Sequence, residues 1–173
     1  MFSLGLTGNG IDDEKAVLDY LRASIFPQED LMDFYANLSN ASSLLYWFLP
    51  DINWLGFYLV REESLVLGPF QGEPACSYIP FAKGVCGKCA REKETIVVPD
   101  VSLFPGHIAC SSSSRSEIVV PLLKEGKLWG VLDVDSPVES RFGENEKAFL
   151  ERASSILSST LSLELLKSLW QRD

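Results

Sequence analysis

The sequence predicts an α+β domain, with a central antiparallel sheet of about six strands and N- and C-terminal helices packed on one face. Three observations carry this. Apolar residues recur at helical spacing near both ends of the chain. Short aromatic and β-branched runs, punctuated by turn residues, fill the middle. The 173 residues contain no repeat and no linker, a length that suits one domain with a sizeable core.

Taken in order, residues 1–10 carry Gly5, Gly8 and Gly10 and are expected to form a flexible end, leaving 11–173 as a single domain. Asp12 to Ser24 reads as a helix. Asp12 and Asp13 suit its positive N-terminus, and Val17, Leu18 and Leu21 share one face. Pro27 is expected to open a second helix that runs to about Phe48, with Leu31, Phe34, Leu38, Leu45 and Phe48 near helical spacing. Asn53 to Val60 then reads as a strand, Arg61-Glu62-Glu63 as a turn and Ser64 to Phe70 as the returning strand. Ala75 to Ile79 is a shorter strand, Gly84 to Lys93 a short helix and Thr95 to Pro99 another strand. Asp100 to Ser114, with serine at 111, 112, 113 and 114, is expected to be a mobile, exposed loop. Glu117 to Leu123 and Leu128 to Val134 form a hairpin across Lys124-Glu125-Gly126-Lys127, and Gly143 to Trp170 closes the domain as a long amphipathic helix.

Composition removes several classes of function. The net charge is -9, from 24 acidic and 15 basic residues, and such a surface repels nucleic-acid phosphates and anionic membranes. No apolar run approaches the roughly 18 residues that span a bilayer. The start Met1-Phe2-Ser3-Leu4-Gly5-Leu6 lacks a basic leading segment, so it does not read as a signal peptide and a cytoplasmic location is expected. Thiols stay reduced there, which makes Cys76, Cys86, Cys89 and Cys110 candidates for catalysis or metal binding rather than structural cross-links.

Two chemistries compete for these cysteines. Cys86-Gly87-Lys88-Cys89 and His107-Ile108-Ala109-Cys110 each place two candidate ligands three positions apart, together the donor set of a structural zinc site. That set leaves Cys76 without a role. Thiol redox catalysis needs two cysteines that approach each other, one of them in a loop able to move, and Cys110 at the head of the serine run fits that part. A third possibility, small buried hydrophobes, fits any one of the four better than all four together.

Carboxylates supply the second constellation. Asp133 and Asp135 stand two apart in Gly130-Val131-Leu132-Asp133-Val134-Asp135-Ser136 and so face the same side of a strand, with Glu117 entering the preceding strand. Two acids on one face are costly to bury unless paired or functional, and otherwise mark a solvated edge. Such a group suits an amine-bearing ligand or general acid chemistry. Trp54 and Tyr58, four apart, share a face and are either core or the wall of a pocket for a methyl or thioether group.

Six stretches in order then resemble the free methionine-R-sulfoxide reductases, which are stand-alone GAF domains. They are Asp51-Ile52-Asn53-Trp54-Leu55-Gly56-Phe57-Tyr58, Leu67-Gly68-Pro69-Phe70-Gln71-Gly72, Gly84-Val85-Cys86-Gly87, Gly106-His107-Ile108-Ala109-Cys110, Ser116-Glu117-Ile118-Val119-Val120-Pro121 and Gly130 to Ser136. The resemblance runs from about Leu38 to the last helix. It implies a GAF fold, often dimeric, and reduction of the R epimer of free L-methionine sulfoxide. No cofactor or metal is implied, and a thioredoxin-type dithiol is the implied reductant. It also implies Cys110 as nucleophile, Cys76 and Cys86 as resolving or recycling thiols, Glu117, Asp133 and Asp135 as pocket carboxylates, and Trp54 and Tyr58 as the aromatic wall. Two positions depart from the family pattern. Ser111 follows Cys110 where an acidic residue is usual, and Cys89 is an additional cysteine. The main rival of another class is a GAF module that senses a small molecule without chemistry, although such modules usually sit in longer chains with an output domain.

Overall fold

The computed structural model of the protein describes residues 4–106, 113–160 and 165. Six strands form one antiparallel sheet in the order β3-β2-β1-β6-β5-β4. They are β1 (Trp54–Arg61), β2 (Ser64–Gly72), β3 (Tyr78–Pro80), β4 (Ile96–Val98), β5 (Ser116–Lys124) and β6 (Lys127–Ser136). The hairpin partners β1–β2 and β5–β6 join through the β1–β6 pair at the sheet's centre.

Alternation along each strand decides what the two faces bury. Leu55, Phe57 and Leu59 of β1, Leu132 and Val134 of β6 and Ile118, Val120 and Leu122 of β5 point to the larger core. There they meet α1 (Gly10–Ser24), α2 (Leu31–Phe48) and α4 (Glu144–Thr160), as expected for helices from both ends of the chain. Hydroxyls help seat α4: Ser154 Oγ donates to the Pro121 carbonyl (2.7 Å) and Trp129 Nε1 donates to Ser158 Oγ (3.1 Å). The opposite face carries Trp54, Tyr58, Val119 and Val131 and packs against α3 (Gly84–Glu92), through Val85, Cys86, Cys89 and Ala90.

The second helix begins four residues after Pro27. Asp30 is its N-cap, and one carboxylate oxygen accepts from the backbone of Met32 (2.8 Å) and Asp33 (3.1 Å). A capping aspartate satisfies two orphan N–H groups, an advantage a proline upstream does not supply. Thr7 and Gly8 are tied to the start of α1, because both backbone N–H groups donate to the Asp13 carboxylate (2.6 and 2.9 Å). The segment expected as an exposed loop is exposed at Ser102, Leu103, Pro105, Gly106 and Ser113, but it is not without structure. Val101–Leu103 forms a 3-10 turn with Val101 buried, and Ser114 is buried as well. Beyond Thr160 only residue 165 of the expected long helix falls among the described residues.

Candidate active site

Register places the acids in one patch. Trp54 on β1 stands opposite Asp135 on β6, and Asp135 stands opposite Glu117 on β5. One step along, in the next row of the same face, come Gly56, Asp133 and Val119. Glu117 and Asp133 are therefore diagonal neighbours across the β5–β6 pair, a separation that side chains bridge easily.

This patch is no solvated edge. Glu117 and Asp133 are 5% and 6% exposed, and Asp135 is half-buried. Burial pushes all three carboxyls well above the usual carboxylate range, and like charges push further: Asp135 on Glu117, Glu117 on Asp133 and Asp133 on Asp135. A hydrogen bond with Ser114 opposes the shift at Asp135. Asp133 Oδ1 is buried with no hydrogen-bond partner. A buried carboxylate oxygen in that state costs free energy until a donor arrives.

The helix α3 brings a thiol onto the patch. Gly87 allows the close approach, because a Cβ there would lie 2.5 Å from the Phe81 carbonyl oxygen and 2.9 Å from that of Pro80. With the helix pressed onto this backbone, Cys86 Sγ lies 4.0 Å from Glu117 Oε1. Sγ and one carboxylate oxygen each of Glu117 and Asp133 lie within 4.8 Å of one another, all three residues being buried. Burial pushes the Cys86 thiol well above its ordinary value, and Asp133 and Glu117 add to the shift. The same causes, burial first, raise Cys89, which is fully buried one helical turn further on.

Beside the acids lies a narrow cavity lined by Trp54, Tyr58, Glu73, Pro74, Asp133 and Asp135. It is nearly closed, with a volume of about 10 Å³, room for one water. Its apolar wall is a stack of three rings. The Trp54 indole lies 5.8 Å from the Tyr58 ring and 5.4 Å from that of Phe70, at interplanar angles of 26° and 16°. The indole spreads over Gly56, where a Cβ would come within 2.6 Å of its ring edge and 2.3 Å of Phe70 Cβ. Both polar tips of the stack hold the loop after β2: Trp54 Nε1 donates to the Glu73 carbonyl and Tyr58 Oη to the Cys76 carbonyl, each at 3.1 Å.

Of the residues singled out in the sequence, Cys86, Glu117, Asp133 and Asp135 meet at one spot, with Trp54 and Tyr58 as the adjoining wall. Cys76 is half-buried in the loop that Tyr58 holds. Cys110, the expected nucleophile, and His107 and Ser111 lie outside the described residues. Sequence reasoning missed Phe70 and Glu73. Phe70 lies inside the quoted stretch Leu67 to Gly72, whereas Glu73 contributes a backbone carbonyl, which no side-chain pattern announces.

A buried acid cluster, a thiol against it and an aromatic wall can hold a small zwitterion by its ammonium and present a thiol to it. Comparison with known proteins agrees in kind. The GAF domain family model matches residues 16–161. Protein YtsP of Bacillus subtilis is 47% identical over 158 residues, 90% of this chain and 95% of that protein. The free methionine-R-sulfoxide reductase of Escherichia coli is 46% identical over 129 residues, 75% of this chain and 78% of that protein. Among solved structures, free methionine-R-sulfoxide reductase from Neisseria meningitidis in complex with its substrate superposes with a TM-score of 0.85 at 38% identity, covering 97% of this chain and 99% of that one. A fold match over nearly the whole chain, joined to this identity across most of each relative, leads to one conclusion: the chain belongs to the GAF domain family and, within it, to the free methionine-R-sulfoxide reductases.

Proposed function

We propose that this protein reduces free L-methionine (R)-S-oxide to L-methionine by thiol chemistry. The observation that supports this most is the buried, unpartnered Asp133 Oδ1 beside Glu117 and Asp135, at the edge of a cavity walled by indole. That oxygen wants a cationic donor, and a free amino acid carries one, whereas a methionine inside a protein does not. The S-methyl group rests against Trp54.

Cys110 thiolate attacks the sulfoxide sulfur while a carboxyl of the Glu117, Asp133 and Asp135 group, kept protonated by burial, donates to the sulfoxide oxygen. Methionine leaves and the oxygen remains on Cys110 as a sulfenic acid. Cys86 or Cys76 condenses with it, releasing water and forming a disulfide. A thioredoxin-type dithiol reduces that disulfide and resets the enzyme. The half-buried Cys76 is the better placed of the two for exchange with an outside dithiol, because Cys86 is buried.

Residues 11–173 act as one domain, and the enzyme works in the cytoplasm. Among the described residues no helix is long and apolar enough to cross a membrane. The active form is a homodimer that buries the exposed Tyr20, Tyr35 and Trp47 of α1 and α2.

A thioredoxin-coupled assay on the two separated sulfoxide epimers tests the reading. Oxidation of thioredoxin is expected with the R epimer alone and is expected to vanish in Cys110→Ser. Full activity in that variant, or equal rates on free and peptide-bound sulfoxide, would refute it.

A further inference from the structure

We infer that Cys86, Glu117 and Asp133 form a binding site for one zinc ion, which competes with substrate. The inference rests on the reading of these carboxylates as the ammonium site. It adds a second class of cation and a way to switch the enzyme off.

Geometry is the first support. The three donor atoms lie within 4.8 Å of one another, and Cys86 Sγ stands 4.0 Å from Glu117 Oε1. Around tetrahedral zinc, with bonds of about 2.0–2.3 Å, donors sit roughly 3.5 Å apart. Small side-chain rotations close that difference without moving α3 or the sheet. Asp133 is the second support, because its Oδ1 is buried and has no hydrogen-bond partner. An ion at the centre of the triangle replaces the hydrogen bonds that the Asp133 carboxyl shares with Cys86 and Glu117, which already draw the three donors together.

Donor chemistry selects the metal. A thiolate with two carboxylates suits zinc, whereas calcium and magnesium take oxygen donors and avoid sulfur. The Cys86 thiol releases its proton to solvent as the zinc–sulfur bond forms, and no electron moves. Three protein ligands leave a fourth position for water.

This donor set differs from the one the spacing of the cysteines offered. Cys89 is on the same helix and fully buried, yet it is not a member of the cluster. Zinc here would occupy the place of the substrate ammonium and cap Cys86 at once. Substrate binding and thiol exchange would both stop until the metal is removed.

The test titrates zinc alone into reduced, chelator-treated protein against a competing indicator dye. One equivalent per chain is expected. Affinity is expected to fall at least about tenfold in each of Cys86→Ser, Glu117→Gln and Asp133→Asn, and to hold in Cys89→Ser and His107→Ala. Free methionine sulfoxide should weaken zinc binding in proportion to its concentration. No stoichiometric zinc, retention of affinity in all three folded ligand variants, or loss of affinity in Cys89→Ser with His107→Ala would overturn the inference. Circular dichroism excludes any variant that fails to fold, and Asp133→Asn, which keeps the shape of the side chain, serves if the other two do. Turnover is assayed separately in excess chelator. Its absence there would sink the reductase reading and leave the zinc titration to be judged by itself; turnover that zinc does not inhibit would sink the zinc site alone.

Discussion

Replacing Asp133 by Asn should stabilise the metal-free, substrate-free protein while damaging its activity. The carboxyl is buried beside Glu117 with Oδ1 unpartnered, and burial, followed by the Glu117 charge, raises its pKa from an ordinary 3.8. A raised folded-state value means the folded chain holds its proton more tightly than the unfolded chain does. Stability is therefore full at acid pH below the ordinary aspartate range and is lost as pH rises. From 3.8 to neutrality is about three pH units at about 1.4 kcal/mol each, so the penalty at pH 7 is capped near 4 kcal/mol. Asparagine carries no such penalty but gives up part of the hydrogen bonding with Glu117, which leaves a net gain of about 1–3 kcal/mol. In a domain of this size that is roughly 3–10 °C in Tm. Thermal melts of both proteins in chelator, at neutral pH and at about pH 4, check this, with the gain expected near neutrality and close to zero in acid. A variant that melts lower than the parent at neutral pH, or shows the same gain at both, would refute the reasoning. In the reductase assay the same variant should lose about 10–100-fold in kcat/KM, the usual cost of removing a buried charged partner.

Tyr58→Phe keeps the ring stack but removes the donor to the Cys76 carbonyl. A loss of about 1–2 kcal/mol is expected by denaturant titration, with faster alkylation of Cys76 detected by mass spectrometry. Cys89→Ala should leave kcat within about twofold, because the thiol is fully buried and raised in pKa, and should cost about 1 kcal/mol from the small cavity. Glu146→Gln tests an opposite pH dependence. Partial burial raises the Glu146 pKa, but hydrogen bonds from the Gly143 N–H (3.0 Å) and Arg141 Nη1 (2.8 Å) outweigh it and the net shift is downward. Its stabilisation is present above the ordinary glutamate range and lost as pH falls, so the variant should be weaker by about 0.5–1 kcal/mol at neutrality, after solvent screening, and equal to the parent in acid.

Strand chemistry made much of this site legible. Asp133 and Asp135 face one way because side chains alternate, and in the structure the same rule puts Val131 with them and Leu132 and Val134 on the far face. Trp54 and Tyr58 followed from the same period. The approach of Cys86 to Glu117 was not legible, since it depends on how closely α3 seats against the Pro80–Phe81 backbone, a tertiary distance that Gly87 permits but does not announce. The start of α2 was misplaced because a proline signal competed with an aspartate cap, and the cap supplied hydrogen bonds. Val101 and Ser114 are buried in a stretch whose small polar residues predicted exposure, since the ends of a connecting loop inherit the burial of the elements they join.

Gly56 stands opposite Asp133 in the sheet and lies beneath the indole, so a missing carbon sets how deep the aromatic wall can recline. The gauge of the chamber is thus controlled from behind, at a position that presents no chemical group to a ligand. An alanine there would press on Phe70 Cβ at 2.3 Å as hard as on the indole edge at 2.6 Å, so both rings would have to shift together and the proposed site would be reshaped without a change to any side chain that lines it.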